Sequence, residues 1–223
     1  MLSLDDVVFN TLCWDNTPSE QVQAHQKVLA NFGIQVKYSF ENSPHGDWMD
    51  RVMWSSEAAF VGFFDADCVP LSREKILECL QFVSENDSFI GIAQASNHIR
   101  PSSHIYAAPA FFIISRSCWE RLQKPSFREN FRSDVGQELS RTAEFFGVSY
   151  KCLYPDCYEK EPVGGIWPLG NYGFYGIGTV FDGAVYHLYQ GRLRSNLDLF
   201  LTRCSQIVQN TFDTVGFVQS RHF

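Results

Sequence analysis

The sequence predicts an α/β fold, a mixed and mostly parallel central sheet flanked by helices. Three observations predict it. Apolar runs with strand character alternate with segments of helical period through the first 95 residues. Gly, Pro, Ser and Thr punctuate those runs at the spacings that start and stop helices. A chain of 223 residues, 45% apolar and 19% charged, is also long enough to bury a sizeable core and too ordinary in composition to be disordered. No internal repeat, low-complexity tract or Pro/Ser linker divides it, so residues 1–223 read as a single domain.

Val7 to Trp14 is an apolar run that leads into DNTPSE. There Thr17 can cap a helix, Pro18 can take its first position and Glu20 can close a capping box. The helix should reach about Phe32, where Gly33 stops it. Gln35 to Phe40 alternates as a second strand, and His45 to Ser56 spaces Trp48, Met49, Val52 and Met53 as a helix. Ala59 to Phe64 is the third strand. Ser72 caps a helix carrying Ile76, Leu77, Leu80 and Val83, and Phe89 to Gln94 is the fourth strand. Ala107 to Ser115 adds a strand, followed by helices near Arg116 to Gln123 and Ser133 to Phe146. Strands near Tyr150 to Tyr154 and Ala184 to Tyr189 and a helix from Asn196 to Gln209 complete the pattern. The segment GGIWPLGNYGFYGIG, Gly164 to Gly178, reads as a long aromatic-rich loop. In a sheet of this type ligands bind outside the carboxyl ends of the strands, which singles out the loops after the first and third.

The formal net charge is −7, and the acidity is confined to the first part. Residues 1–92 carry 14 Asp/Glu against 5 Lys/Arg, residues 93–150 carry 5 against 7, and residues 151–223 carry 6 against 6. Such a balance argues against general nucleic-acid or anionic-membrane binding. The apolar stretch from Ala58 to Phe64 is far shorter than a membrane span, and Met1 to Asn10 carries Asp5 and Asp6 rather than a basic start. Seven dispersed cysteines with no CxxC spacing indicate neither a disulfide framework nor a zinc site, so a reducing cytoplasm is expected. Aromatic residues, at 15%, require an explanation in the core or at a stacking surface.

The most informative segment is FVGFFDADCVPLS, in which a buried strand ends directly in Asp65, Ala66 and Asp67. Two carboxylates two residues apart at a strand end can turn toward one divalent cation, and such a cation can clamp a diphosphate. VYHLYQGR places His187, a competent metal ligand, on a strand ahead of Arg192, which can hold phosphate oxygens. Asp134 is expected in the first turn of a helix, where its charge favours the helix dipole.

These residues resemble the metal-dependent, nucleotide-sugar-using glycosyltransferases of the GT-A fold, family 2-like, over most of the chain. The resemblance implies a GT-A-type, Rossmann-like sheet. It implies that Asp65 and Ala66 meet the nucleotide sugar, that Asp65, Asp67 and His187 hold Mn²⁺ or Mg²⁺, and that Asp134 is the catalytic base. Thr11, Cys13, Trp14 and Asp15 would line the base pocket, with Trp14 stacking on the base. His45, Gly46 and Asp47 would approach the donor, and Arg192 its phosphates. Residues 1–96 would form the nucleotide-sugar and metal half and residues 97–223 the acceptor half. The implied activity is hexosyl transfer, with a UDP-sugar as donor and a hydroxyl on a glycan, a lipid-linked sugar or a hydroxylated DNA base as acceptor. Trp167, Tyr172, Phe174 and Tyr175 would suit stacking on a sugar, and the cations Arg116, Arg121, Lys124, Arg128, Arg132 and Arg141 an anionic acceptor. Two other readings stay open. Asp65 to Val69 also fits the DxDxV pattern of haloacid-dehalogenase-like phosphatases, with Asp65 as nucleophile, and the chain could be a non-catalytic nucleotide-sugar-binding module.

Overall fold

A computed structural model describes residues 2–96, 104–160 and 165–220. The order is β1 (Val7–Cys13), α1 (Ser19–Asn31), β2 (Val36–Phe40), α2 (His45–Ser55), β3 (Phe60–Phe64), β4 (Cys68–Pro70), α3 (Arg73–Asn86), β5 (Phe89–Ala95) and β6 (Ile105–Ser115). There follow α4 (Arg116–Arg121), α5 (Gln137–Phe146), β7 (Lys151–Leu153), β8 (Pro155–Tyr158), β9 (Ile166–Pro168), β10 (Phe174–Gly176), β11 (Gly178–Phe181), β12 (Val185–Leu188), α6 (Arg194–Val208) and β13 (Val218–Gln219).

The main sheet runs β2-β1-β3-β6-β5-β7, with β6 antiparallel to both its neighbours and the remaining pairs parallel. This is the mixed, mostly parallel sheet that the sequence predicts. Strand alternation sends consecutive aromatics to opposite faces. Phe64 and Phe111 join Phe9, Leu29 and Leu80 on the α1 and α3 side, while Phe63 and Phe112 join Trp48, Met49 and Leu139 on the α2 and α5 side. Ring centroids 5.0 Å apart for Phe64–Phe111 and 5.5 Å for Trp48–Phe63 show where the aromatic excess goes: it fills both faces of one sheet.

The order in which strands are added reverses at β1, since β2 lies on one side of it and β3 on the other, all three parallel. That makes the carboxyl ends of β1 and β3 the switch point at which a crevice opens. A second, antiparallel sheet, β13-β8-β11-β12-β4, begins where β3 ends, because β4 leaves the main sheet and pairs with β12. Its core, with Val69, Tyr186, Leu188 and Phe200, is closed by α6 and reaches Val28 of α1.

The structure corrects several local expectations. Thr17 does not cap α1: its hydroxyl accepts from the Trp14 N–H at 3.0 Å, and Pro18, extended at ψ 138°, stands at the N-cap with no side-chain cap. The residue before a proline is biased to extended backbone, so the hydroxyl turns back to close the loop instead. Ser72 does cap α3, accepting from Lys75 N–H at 3.2 Å. The helix expected from Ser133 starts only at Gln137, because Gly136 sits in the left-handed region at φ +76°. Asp134 therefore precedes the helix and lies outside its first turn. The stretch expected to be a loop holds β9 and β10, which form a hairpin, and at Gly178 the start of β11. Gly164 lies outside the described residues.

Candidate functional site

The two aspartates stand in the turn between the two sheets. Asp65 N–H donates to Ala110 O at 2.8 Å, which ties the end of β3 to β6, and Leu188 N–H donates to Asp67 O at 2.9 Å, which ties the turn to β12. The β4–β12 register sets His187 opposite Cys68. As a result His187 Nε2 lies 3.4 Å from Asp67 Oδ1, although 120 residues of chain separate them in the sequence. On the other side, the first residue of α2 brings His45 Nε2 to 3.4 Å from Asp65 Oδ1. The ligand atoms of Asp65, Asp67 and His187 all lie within 4.8 Å of one another.

Electrostatics separates the two carboxyls. Burial pushes Asp65 up and the Asp67 charge adds to this, against the pull of His45 and His187. Burial also works to raise Asp67, but the hydrogen bond and charge of His187, with the Gly191 N–H, outweigh it and hold Asp67 below the usual carboxylate range. Gly191 N–H donates to Asp67 Oδ2 at 3.0 Å. A Cβ at position 191 would stand 2.6 Å from the Asp67 Cβ, so only glycine lets the backbone approach this closely.

The donor set fits a divalent cation. Carboxylates with one imidazole are ligands for hard to borderline ions. In addition, His187 Nδ1 is buried with no hydrogen-bond partner, so protein contacts alone do not satisfy the ring. Asp65, Asp67 and His187 can thus hold a metal ion.

Three cavities that share lining residues lie at and beside this cluster. A basin of about 450 Å³ is lined by Trp14, Asp15, Asn42 and Arg192. It shares Trp14 and Arg192 with a pocket of about 100 Å³ that reaches Asp65 and Asp67. The same carboxylates and His187 open onto a chamber of about 270 Å³, across which stand Tyr106 and Asp134. Trp14, Asp15, His45, Asp65, Ala66, Asp67, Asp134, His187 and Arg192 are thereby gathered along one cleft. The Arg192 guanidinium lies over the Trp14 ring, 4.5 Å from its centroid. Burial, with the Asp134 charge beside it, pushes the Tyr106 hydroxyl well above its ordinary range.

Other residues singled out in the sequence sit elsewhere. Cys13 packs with Val22 and Ala66, and burial raises its thiol to about 11. Thr11 is buried in β1 with its hydroxyl unpartnered. Asp47 pairs with Arg128, and Gly46 is needed where α2 crosses that segment, since a Cβ there would lie 2.6 Å from Phe127 O. Tyr172 stacks on Tyr154 at 4.1 Å and Trp167 packs on Tyr175 and Tyr189, so these rings face one another. Arg116, Arg121, Lys124, Arg128 and Arg132 all pair with carboxylates.

Gln21 is a site residue that sequence reasoning missed. It is 2% exposed, its Oε1 has no partner, and it lines the pocket beside Trp14 and the aspartates. Its signal in the sequence is faint: a polar residue on the buried stripe that Val22, His25, Val28 and Leu29 mark along α1.

Neither a family model nor a curated protein sequence matches this chain. Among solved structures it is similar to A197 from STIV, with 13% identity, TM-score 0.41, and coverage of 63% of this chain and 76% of that one. A CMP:2-keto-3-deoxy-manno-octonic acid synthetase complexed with CTP gives 10% identity, TM-score 0.38, and coverage of 66% and 88%. S. aureus TarS gives 12%, TM-score 0.40, and 61% of this chain against 33% of that one. Likenesses this distant leave the function to be read from the residues. Among the described residues no helix is long and apolar enough to cross a membrane.

Proposed function

We propose that the chain is a metal-dependent glycosyltransferase that moves a hexose from a UDP-sugar to an acceptor hydroxyl. One observation carries the reading: an Asp-Ala-Asp turn and a histidine form a metal-competent cluster at the sheet's switch point, and a further carboxylate faces them across the same chamber. Asp65, Asp67 and His187 would hold Mn²⁺ or Mg²⁺, and the inclusion of an imidazole favours Mn²⁺. Bound there, the ion supplies positive charge to the diphosphate leaving group.

The protein's own groups do the rest. Trp14 and the Asp15 rim would receive the nucleoside, with Gln21 Oε1 accepting one of its N–H or O–H groups, and Arg192 would leave Trp14 to meet the phosphates. Asp134 takes the acceptor proton as the acceptor oxygen bonds to the anomeric carbon and the bond from that carbon to the diphosphate oxygen breaks. A single displacement of this kind inverts the anomeric centre. Residues 1–96 supply most of the donor side and residues 97–223 the chamber side, with His187 reaching back to the metal cluster. Because Arg116, Arg121, Lys124, Arg128 and Arg132 are already paired with carboxylates, a neutral glycan or lipid-linked sugar suits the acceptor side better than DNA.

The test is Mn²⁺-dependent release of UDP from a panel of UDP-sugars. Release should be lost in EDTA and fall at least 100-fold in Asp67→Ala; full release in EDTA overturns the reading. Hydrolysis of p-nitrophenyl phosphate with beryllium fluoride bound at Asp65 would establish a phosphatase instead.

A further inference from the structure

The Asp134 carboxylate accepts from the Val135 N–H at 2.9 Å, and its main chain is held by a link that rests on His104. On the main-chain side, the Asp134 N–H donates to Gln137 Oε1 at 2.8 Å. Gln137 is 1% exposed, and its Nε2 lies 2.9 Å from His104 Nδ1. His104 Nε2 lies in turn 2.9 Å from Glu144 Oε1, which also accepts from the Tyr150 hydroxyl at 2.7 Å. Tyr106 lines the same chamber as Asp134, and its ring lies parallel to the His104 imidazole, at 2° and 6.5 Å between centroids.

The direction of every hydrogen bond in this chain follows from its two ends. A backbone N–H can only donate, so Gln137 must present its oxygen to Asp134 and its NH₂ to His104. His104 Nδ1 is then the acceptor, which leaves the ring proton on Nε2, pointing at Glu144. Glu144 is the acceptor that this requires. Burial works to raise its carboxyl, and the bonds from Tyr150 and His104 outweigh that and hold it ionised below its ordinary range. The tautomer of His104 is thereby determined, and each link is complementary to the next.

We propose that His104 is a positioning residue for Asp134. Through Gln137 it holds the loop that aims the carboxylate into the chamber. This rests on the reading of Asp134 as the base. Loss of the His104 link frees Gln137 to rotate and lets the Asp134 loop move away from the metal cluster. A displacement of about 1 Å in such a group costs on the order of 100-fold in rate.

The experiment compares His104→Phe, His104→Gln, Gln137→Leu and Asp134→Asn with the wild type in Mn²⁺-dependent UDP release, using the most active UDP-sugar. His104→Phe keeps a ring beside Tyr106 but has neither nitrogen. It should lower kcat about 10- to 100-fold, with KM for the donor and Mn²⁺ affinity unchanged within twofold. His104→Gln, whose amide can accept from Gln137 and donate to Glu144, should recover most of the rate. The double variant with Gln137→Leu should lose no more than the larger single loss, because both break one chain. Amide exchange at Asp134 should quicken in His104→Phe while exchange in β1 and β3 stays slow. If Asp134→Asn loses activity and His104→Phe does not, this inference is overturned and the base assignment stands. If Asp134→Asn keeps full kcat, the base assignment fails and the inference with it.

Discussion

Gly191 and Gln21 show how much of the cleft depends on single atoms. The Asp67 carboxylate is oriented by the Gly191 N–H at 3.0 Å, and that bond exists because no Cβ intervenes. Gly191→Ala would push a methyl group to 2.6 Å from the Asp67 Cβ and drive the two apart. Mn²⁺ affinity, measured by the loss of free-ion EPR signal on titration, should fall at least tenfold in this variant; unchanged affinity would mean that the ligand set does not depend on this approach. Gln21 presents a buried acceptor with no protein donor, a group that costs about 1–3 kcal/mol if left unpaired. A nucleoside N–H or O–H that satisfies it gains a comparable amount. Gln21→Met, similar in shape, should therefore weaken UDP binding about tenfold by calorimetry and leave inorganic pyrophosphate binding unchanged. Equal weakening of both ligands would place Gln21 outside the nucleoside pocket. Asp65 and Asp67 are legible in the sequence because a buried strand ends on them. Gln21 is hard to find because its role arises from an unmet hydrogen bond, which periodicity does not show.

At the level of elements, legibility follows contact distance. β1, α1, β2, α2 and β3 are readable because each is long enough to show its own period and is bounded by its own turn residues. The second sheet is so only at β12, which the apolar run from Ala184 to Tyr189 marks; β4, β8, β11 and β13 are two to four residues long and have no period to display. They exist through pairing: β4 with β12 although 114 residues lie between Pro70 and Val185, and β11 with β8 and β12. The Gly-rich character that suggested a loop has another cause here. Gly176 is a place where a Cβ would run into Tyr158, and Gly178 one where it would run into Glu159 and Tyr186, so close packing of these side chains selects them. Gly62 makes the same point in the main sheet and supplies a test. It pairs with Phe9 across β1 and β3, and a Cβ there would lie 2.2 Å from the Phe9 ring. Gly62→Ala should destabilise by roughly 1–3 kcal/mol or more in urea unfolding, and adding Phe9→Leu should recover part of the loss. A wild-type midpoint for Gly62→Ala would show that the ring can move aside at no cost.

Across the whole molecule, the two sheets, α1 and the Asp-Ala-Asp turn meet at one buried imidazole. His25, on α1, is fully buried; its Nδ1 lies 2.7 Å from the Tyr38 hydroxyl on β2, and its Nε2 lies 3.0 Å from the Cys68 carbonyl at the start of β4. The neutral ring satisfies both, donating from Nε2 to the carbonyl and accepting at Nδ1 from the tyrosine. Burial disfavours the charged form and lowers the pKa from 6.5 to about 4, against the pull of the Cys68 carbonyl and the Asp67 charge. Because the folded value lies below the unfolded one, the unfolded chain binds more protons between those two pH values, and stability rises with pH across that window. The contribution is complete above about pH 6.5 and is lost as the pH falls toward 4, amounting to about 3 kcal/mol. His25→Gln offers an amide in place of the ring and has no proton to gain. Urea midpoints recorded from pH 7 to pH 4.5 should fall more steeply for the wild type than for His25→Gln, the difference between the curves opening below pH 6.5. Parallel curves would show that the imidazole is not held neutral at this junction. Protonation takes place at Nδ1, so acidification breaks the bond from the Tyr38 hydroxyl on β2 and leaves the Nε2–H bond to the Cys68 carbonyl in place; the stability lost on acidification therefore belongs to the α1–β2 contact.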